Sequence, residues 1–131
     1  GPGKPVLIVE DDPDSRMFLQ RLLRSEEFSV NEAVNGKLGL EFLQSTERVP
    51  DLILLDLMMP VMDGFEFLSI IKKQQEFSEI PVLVITAADL TKNDYRRLHG
   101  SVENIIQKSG LDKDQILKEI TTLISSNAKG D

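Results

Sequence analysis

The residues of this sequence with the clearest chemical potential follow short apolar segments. Glu10 and Asp11 come directly after one such segment, Asp56 after another, Thr86 after a third and Lys108 after a weaker one. Carboxylates that converge repel one another unless a cation lies among them, and a site made only of oxygen ligands suits Mg²⁺. A Thr hydroxyl and a Lys ammonium complement the oxygens of a phosphoryl group. If the fold brings these side chains together, they predict that Asp56 is phosphorylated.

Such chemistry needs no catalytic histidine in the chain. An ionised Asp is already the nucleophilic form of the side chain at neutral pH, so it requires no general base. The obstacle is electrostatic, because an anionic nucleophile must meet an anionic donor, and a metal ion together with Lys108 would offset that repulsion. His99, the single histidine, is therefore interpreted as a surface residue.

The elements that must position these residues alternate along the chain. Apolar runs rich in Val, Ile and Leu without polar alternation are typical of strands buried on both faces. The predicted strands are Val6 to Val9, Ser29 to Ala33, Leu52 to Leu55, Val82 to Ile85 and Asn104 to Gln107. Helical spacing of apolar residues predicts helices over 13–26, 36–45, 65–74, 91–98 and 112–126, with Asp12 and Asp112 as candidate caps.

Five strands alternating with five helices predict an α/β domain with a parallel sheet covered on both faces. In such sheets the ligand crevice opens at the carboxyl ends of the strands. Because Glu10, Asp56, Thr86 and Lys108 all lie at these ends, we expect them at one edge of the sheet.

The overall composition excludes several classes of function. The chain has 131 residues, with 15 Lys and Arg against 22 Asp and Glu and a net charge of −7, which disfavours direct binding to nucleic acid or anionic lipid. Its longest apolar runs are far shorter than the roughly 20 residues of a membrane span, so no membrane insertion is expected. The absence of Cys excludes disulfides and thiolate zinc sites, and it fits a cytoplasmic location. We expect one domain over residues 4–127, a cloning or protease scar at 1–3 and a frayed tail at 128–131.

Two motifs carry a family resemblance that covers residues 5–126. Leu7-Ile8-Val9-Glu10-Asp11-Asp12-Pro13 and Asp56-Leu57-Met58-Met59-Pro60-Val61-Met62-Asp63-Gly64, with Val84-Ile85-Thr86-Ala87 and Lys108 in the right order, resemble the receiver domain of two-component response regulators. The resemblance implies a flavodoxin-like (βα)₅ three-layer sandwich with a parallel sheet in the order 2-1-3-4-5. It also implies a phosphoacceptor that works with Mg²⁺ in phosphorelay signalling, rather than a stand-alone enzyme.

The resemblance also implies a role for each matching residue. Asp11 becomes a direct Mg²⁺ ligand, Glu10 acts mostly through metal-bound water, and Met58 contributes its backbone carbonyl. Asp56 becomes the phosphoacceptor and a further metal ligand. Thr86 becomes the switch hydroxyl and Lys108 the ammonium that binds the phosphoryl group, whereas Asp12 is interpreted as a helix cap first and a ligand second.

Two positions depart from the family pattern. Ile105 stands where the family usually has an aromatic residue, and Ser109 stands where a proline commonly follows the lysine. The resemblance therefore predicts neither an aromatic ring that moves inward on phosphorylation nor a cis proline after the lysine in this chain. Two pairs of adjacent cations, Lys72-Lys73 and Arg96-Arg97, are interpreted as solvated faces.

The expected partner is a sensor histidine kinase or a histidine phosphotransfer protein, which supplies the phosphohistidine. The stretch from residue 96 to 110 is similar to the receivers of hybrid sensor histidine kinases. One alternative is an Asp-nucleophile, Mg²⁺-dependent phosphatase of the haloacid dehalogenase type, although Met58 stands where that family has its second Asp. The other alternative is an interaction domain that works without phosphorylation.

Overall fold

The computed structural model describes residues 3–129, and within that range five strands alternate with five helices. The strands are β1 (Pro5–Val9), β2 (Ser29–Ala33), β3 (Leu52–Leu55), β4 (Val82–Thr86) and β5 (Asn104–Gln107). The helices are α1 (Pro13–Ser25), α2 (Gly36–Ser45), α3 (Gly64–Lys72), α4 (Lys92–Leu98) and α5 (Lys113–Lys129), and a short 3₁₀ turn covers Lys108–Gly110.

All strand pairings are parallel, and the sheet order is β2-β1-β3-β4-β5. This confirms the predicted fold and strand order. Val9, the last residue of β1, lies opposite Leu55 at the end of β3. The residues that follow these two strands therefore start from neighbouring positions on the same edge. Thr86, predicted to follow β4, is its last residue and pairs with Gln107.

Alternate strand residues pack on opposite faces of the sheet. Leu7 and Val9 belong to a core with residues of α2, α3 and α4, whereas Val6 and Ile8 belong to a core with residues of α1 and α5. Every residue of β1, β3 and β4 is buried, as the unbroken apolar runs predict. Only β2 and β5, at the two edges, carry exposed polar residues.

Polar caps begin four helices directly after the loops at the carboxyl edge. Asp12 Oδ2 accepts from the Ser15 amide at 2.9 Å to begin α1, so the predicted cap is confirmed. Asn35 and Asp63 cap α2 and α3 in the same way, and Thr91 forms a capping box that begins α4. Since caps fix where a helix begins, they also fix the length and path of the loops that hold the acidic residues.

The helix ends differ from the expected positions by a few residues. α3 ends at Lys72, two residues before the predicted Gln74, and α5 continues to Lys129, beyond the predicted Ser126 and into the tail expected to fray. Residues 1, 2, 130 and 131 of the expected termini lie outside the described part of the chain. Between residues 3 and 129, no helix has both the length and the apolar character needed to cross a bilayer.

Candidate functional site

Three carboxylates converge at the carboxyl edge of the sheet. Glu10, Asp11 and Asp56 each place one carboxylate oxygen within 4.8 Å of the others. The backbone explains the convergence, because the Asp56 amide donates to the Val9 carbonyl at 3.0 Å and so continues the pairing of β1 with β3. Glu10 is 1% exposed and Asp56 5% exposed, whereas Asp11 is half-buried. The cluster therefore concentrates negative charge where little water screens it.

Lys108 supplies the positive charge that faces this cluster. Its Nζ lies 2.7 Å from Glu10 Oε1 and 3.5 Å from Asp56 Oδ2, so one ammonium bridges two carboxylates from different strands. Burial disfavours the charged ammonium, but the carboxylates of Glu10 and Asp56 outweigh this effect and raise the pKa of Lys108. The side chain is therefore a cation throughout the physiological pH range.

One ammonium does not fully compensate the buried carboxylates. The pKa of Glu10 is raised from an ordinary value of 4.5 to about 7, mainly by burial and to a smaller extent by the neighbouring Asp56. Lys108 and the Asp12 amide, which donates to Glu10 Oε2 at 3.1 Å, oppose that rise without cancelling it. The cluster thus favours either a proton or an additional cation.

Thr86 lies at the same edge but in a separate hydrogen-bonded unit. Its side chain is fully buried, and its Oγ1 accepts from the Ala88 amide at 3.1 Å. The Gln107 side chain donates to the Ala88 carbonyl at 3.2 Å and ties the loop after β4 to the end of β5. Within residues 3–129, no hydrogen bond joins Thr86 to the acidic cluster.

Met58 belongs to the loop that carries the acceptor, and its amide is 3.4 Å from Asp56 Oδ1. Its side chain is 62% exposed, so the backbone rather than the side chain faces the cluster. The loop closes on itself at Gly64, whose amide donates to the Leu57 carbonyl at 3.0 Å. A Cβ at Gly64 would lie 2.6 Å from the Asp56 carbonyl oxygen, so only glycine fits there.

The same loop contains a strained turn. The Met62 amide donates to the Pro60 carbonyl at 2.8 Å around Val61, which has a φ of 72°. This is a γ-turn of the rare, strained type, and a β-branched residue there is exceptional. The Gly36 amide at the start of α2 donates to the Met62 carbonyl at 3.1 Å, which ties the turn to α2, the helix that precedes it in the chain.

Arg16 is a site residue that the sequence did not reveal. Its Nη1 donates to the backbone carbonyls of Glu10 at 3.0 Å and Asp11 at 3.2 Å, and its Nε lies 3.5 Å from Glu32 Oε1. The guanidinium therefore holds the turn that presents both acidic side chains. No sequence signal distinguishes Arg16 from the other cations of α1, because its partners are backbone atoms.

The donor set fits a magnesium ion. Glu10, Asp11 and Asp56 offer hard oxygen ligands, and the described residues place no His or Cys side chain among them. Burial and the neighbouring Asp56 raise the pKa of Glu10, and a bound cation would favour its ionised form. The Asp12 carboxylate is engaged as a helix cap and is not part of this set.

Comparison with known proteins agrees with this architecture. A family model described as the response regulator receiver domain matches residues 6–121. The sensor histidine kinase TmoS of Ectopseudomonas mendocina is 36% identical over 126 residues, which are 96% of this chain and 12% of that protein. The two-component response regulator ORR5 of Oryza sativa subsp. japonica is 34% identical over 107 residues, which are 81% of this chain and 79% of that protein.

A solved structure shows the same fold. The receiver domain of the sensor histidine kinase PA1611 from Pseudomonas aeruginosa PAO1, described with a magnesium ion coordinated in its active site cleft, superposes with a TM-score of 0.82. The match is 23% identical and covers 94% of this chain and 98% of that one. This chain spans about an eighth of the length of TmoS, so the comparison concerns one part of that protein. Because the family model matches residues 6–121, which is most of the chain, the chain belongs to the response regulator receiver domain family.

Proposed function

We propose that Asp56 accepts a phosphoryl group from a phosphohistidine, with Mg²⁺ as the cofactor. The observation that carries the proposal is the convergence of three carboxylates on one bridging ammonium, that of Lys108, at the edge where ligands bind in parallel sheets. The donor would be a sensor histidine kinase or a histidine phosphotransfer protein, in the cytoplasm. Similarity to the sensor histidine kinase TmoS and to the two-component response regulator ORR5 supports this class of partner.

The transfer requires only one displacement. A carboxylate oxygen of Asp56 attacks the phosphorus, a P–O bond forms, and the P–N bond to the imidazole breaks with its electron pair remaining on nitrogen. The product is an acyl phosphate on Asp56. Lys108, already 3.5 Å from Asp56 Oδ2, would pair with a phosphoryl oxygen and orient it.

The metal would be held by residues that the fold brings together. Asp11, Asp56 and the backbone carbonyl of Met58 are the proposed direct ligands, with Glu10 in the outer sphere. When bound, Mg²⁺ would neutralise the charge of the nucleophile and of the incoming phosphoryl oxygens. The hard oxygen donors and the magnesium ion described for the PA1611 receiver support this assignment.

Phosphorylation would then act on partners through a population shift. In the described residues the Thr86 hydroxyl makes no hydrogen bond to the acidic cluster; its oxygen accepts from the Ala88 amide, which leaves its proton able to donate. We propose that a phosphoryl group on Asp56 draws the Thr86 hydroxyl toward it and moves the loop before α4. The state with that loop moved would be bound differently by a partner.

The test is mass spectrometry of the intact protein with acetyl phosphate and Mg²⁺. We expect one added phosphoryl group that is lost at alkaline pH, as an acyl phosphate would be. Omission of Mg²⁺ and the Asp56→Asn variant should each abolish the addition, and Asp51→Asn, outside the cluster, is the matched control. An unchanged mass, or equal labelling of Asp56→Asn, would contradict the proposal. Turnover of a phosphomonoester would instead indicate a phosphatase.

A further inference from the structure

A cavity of about 310 Å³ lies between α3 and the end of α4, away from the phosphoacceptor site. Its apolar lining comes from Phe65, Leu68 and Leu98, and none of the acidic residues of the phosphoacceptor site contributes to it. Its volume is at the lower end of the range for small-molecule sites, about 300–1,000 Å³. The cavity is therefore suited to a compact ligand.

Arg97 lies at the mouth of this cavity and contacts the Phe65 ring. Its guanidinium carbon lies over the Phe65 ring, 4.1 Å from the ring centre, which is a cation–π contact. No hydrogen bond or ion pair engages Arg97 within the described part of the chain. A guanidinium in such a contact keeps N–H groups available for a bidentate pair with an oxyanion.

Lys72 brings a second cation to the same cavity. The side chain is half-buried, and its Nζ donates to the Ser78 carbonyl at 3.1 Å. Burial lowers the pKa of Lys72, while Glu103 and Glu79 nearby act in the opposite direction. An ammonium makes three hydrogen bonds, so two remain for a ligand.

Two hydroxyl groups complete the polar lining, those of Ser69 on α3 and Ser101 just after α4. They add neutral donors beside the two cations. The negative charges of Glu79 and Glu103 offset part of the positive potential around Lys72. The balance favours an anion with one charge over one with several.

We propose that this cavity binds a small organic carboxylate with a compact apolar body. The carboxylate would pair with Arg97 and Lys72, and the body would lie against Leu68 and Leu98. Of the two cation pairs interpreted as solvated faces, Arg96-Arg97 is exposed as predicted, and Arg97 lies at the mouth of the cavity, whereas Lys72 is half-buried. Lys73 and Arg96 do not line the cavity.

The test is a titration of the whole ¹⁵N-labelled chain with benzoate, followed by NMR. We expect saturable shifts at the amides of Ser69 and Ser101, with a dissociation constant in the millimolar range. Benzyl alcohol, which has the same body without the charge, should bind about tenfold more weakly, and so should inorganic phosphate, which has no apolar body. The absence of saturable shifts, or equal binding of all three probes, would overturn the proposal.

The adjacent cations provide matched controls. Arg97→Gln and Lys72→Gln should each weaken benzoate binding about fivefold. Arg96→Gln and Lys73→Gln remove the same charge outside the cavity and should leave the affinity within about twofold. Equal losses in both members of a pair would show that only overall charge attracts the probe, and they would overturn the site. Unchanged amide shifts elsewhere in each variant show that the fold is retained.

Discussion

Glu10 should make the metal-free protein less stable as the pH rises from 5 to 8. In the folded state burial raises its pKa to about 7, whereas the ordinary value of 4.5 applies to the unfolded chain. Below pH 4.5 both states hold the proton. Between 4.5 and 7 the unfolded state loses its proton first, so the free energy of unfolding falls with rising pH and levels off above 7.

The magnitude follows from the same two values. The difference between the folded and unfolded pKa values of Glu10 corresponds to a change in the free energy of unfolding of at most about 3 kcal/mol. Water at the open edge of the sheet reduces the penalty, so we expect a loss of about 2 kcal/mol. Lys108 does not alter this window, since its raised pKa keeps it charged throughout. The hydrogen bond from the Ser15 amide is the main cause of the lowered pKa of Asp12. This shift changes the free energy of unfolding only below about pH 3.8, the ordinary pKa of the group, and so outside the window of Glu10.

The assay is urea unfolding followed by circular dichroism at pH 5, 6, 7 and 8 in the presence of EDTA. Glu10→Gln is the control, because it removes the titrating group and should flatten the pH dependence. Excess Mg²⁺ should also reduce the loss above pH 7, because a cation among the carboxylates favours the ionised form. A wild-type protein whose stability changes with pH no more than that of Glu10→Gln would refute the reasoning.

Two further predictions concern the loops around the acceptor. Gly64→Ala places a Cβ 2.6 Å from the Asp56 carbonyl oxygen and should lower the free energy of unfolding by about 1–3 kcal/mol in urea titrations. At Gly110 a Cβ meets nothing within 4 Å, so Gly110→Ala should change the free energy of unfolding by less than about 0.5 kcal/mol. Equal losses of stability in the two variants would contradict the steric explanation for Gly64. Met58 and Ala88 cannot orient a water by charge or strong hydrogen bonding, so the acyl phosphate should be long-lived and Met58→Asn should shorten its lifetime about tenfold. The decay of the phosphorylated mass after removal of the donor measures this, and a wild-type half-life of seconds or identical decay rates would count against it.

Much of the fold could be predicted because its signals are local. The short apolar runs that end at Val9 and Leu55 are typical of buried strands, and such strands form parallel sheets when helices separate them. Their carboxyl ends share one edge, and the strand order implied by the family resemblance makes β1 and β3 neighbours, which predicts the proximity of Glu10 and Asp56. The cap at Asp12 followed from the Asp-Pro pair that begins α1.

The contacts of long side chains could not be predicted. Arg16 holds the turn through two backbone carbonyls, and nothing in the sequence marks a carbonyl as a partner. The sequence also does not show that Arg97 lines the cavity while the adjacent Arg96 does not. Which of two adjacent residues on a helix faces a neighbouring helix depends on how α3 and α4 pack, and only the structure shows that Arg97 reaches Phe65.

The polar outer strands have a consequence for how the chain behaves at high concentration. A parallel sheet with two free edges can recruit strands from other copies, which is the usual start of aggregation. Here β2 exposes Asn31 and Glu32, and Glu32 is paired with Arg16. In β5 the exposed residue is the polar Asn104, whose side chain accepts from the Ile105 amide at 2.8 Å. The exposed polar side chains of both edge strands therefore disfavour pairing of sheet edges between copies of the chain.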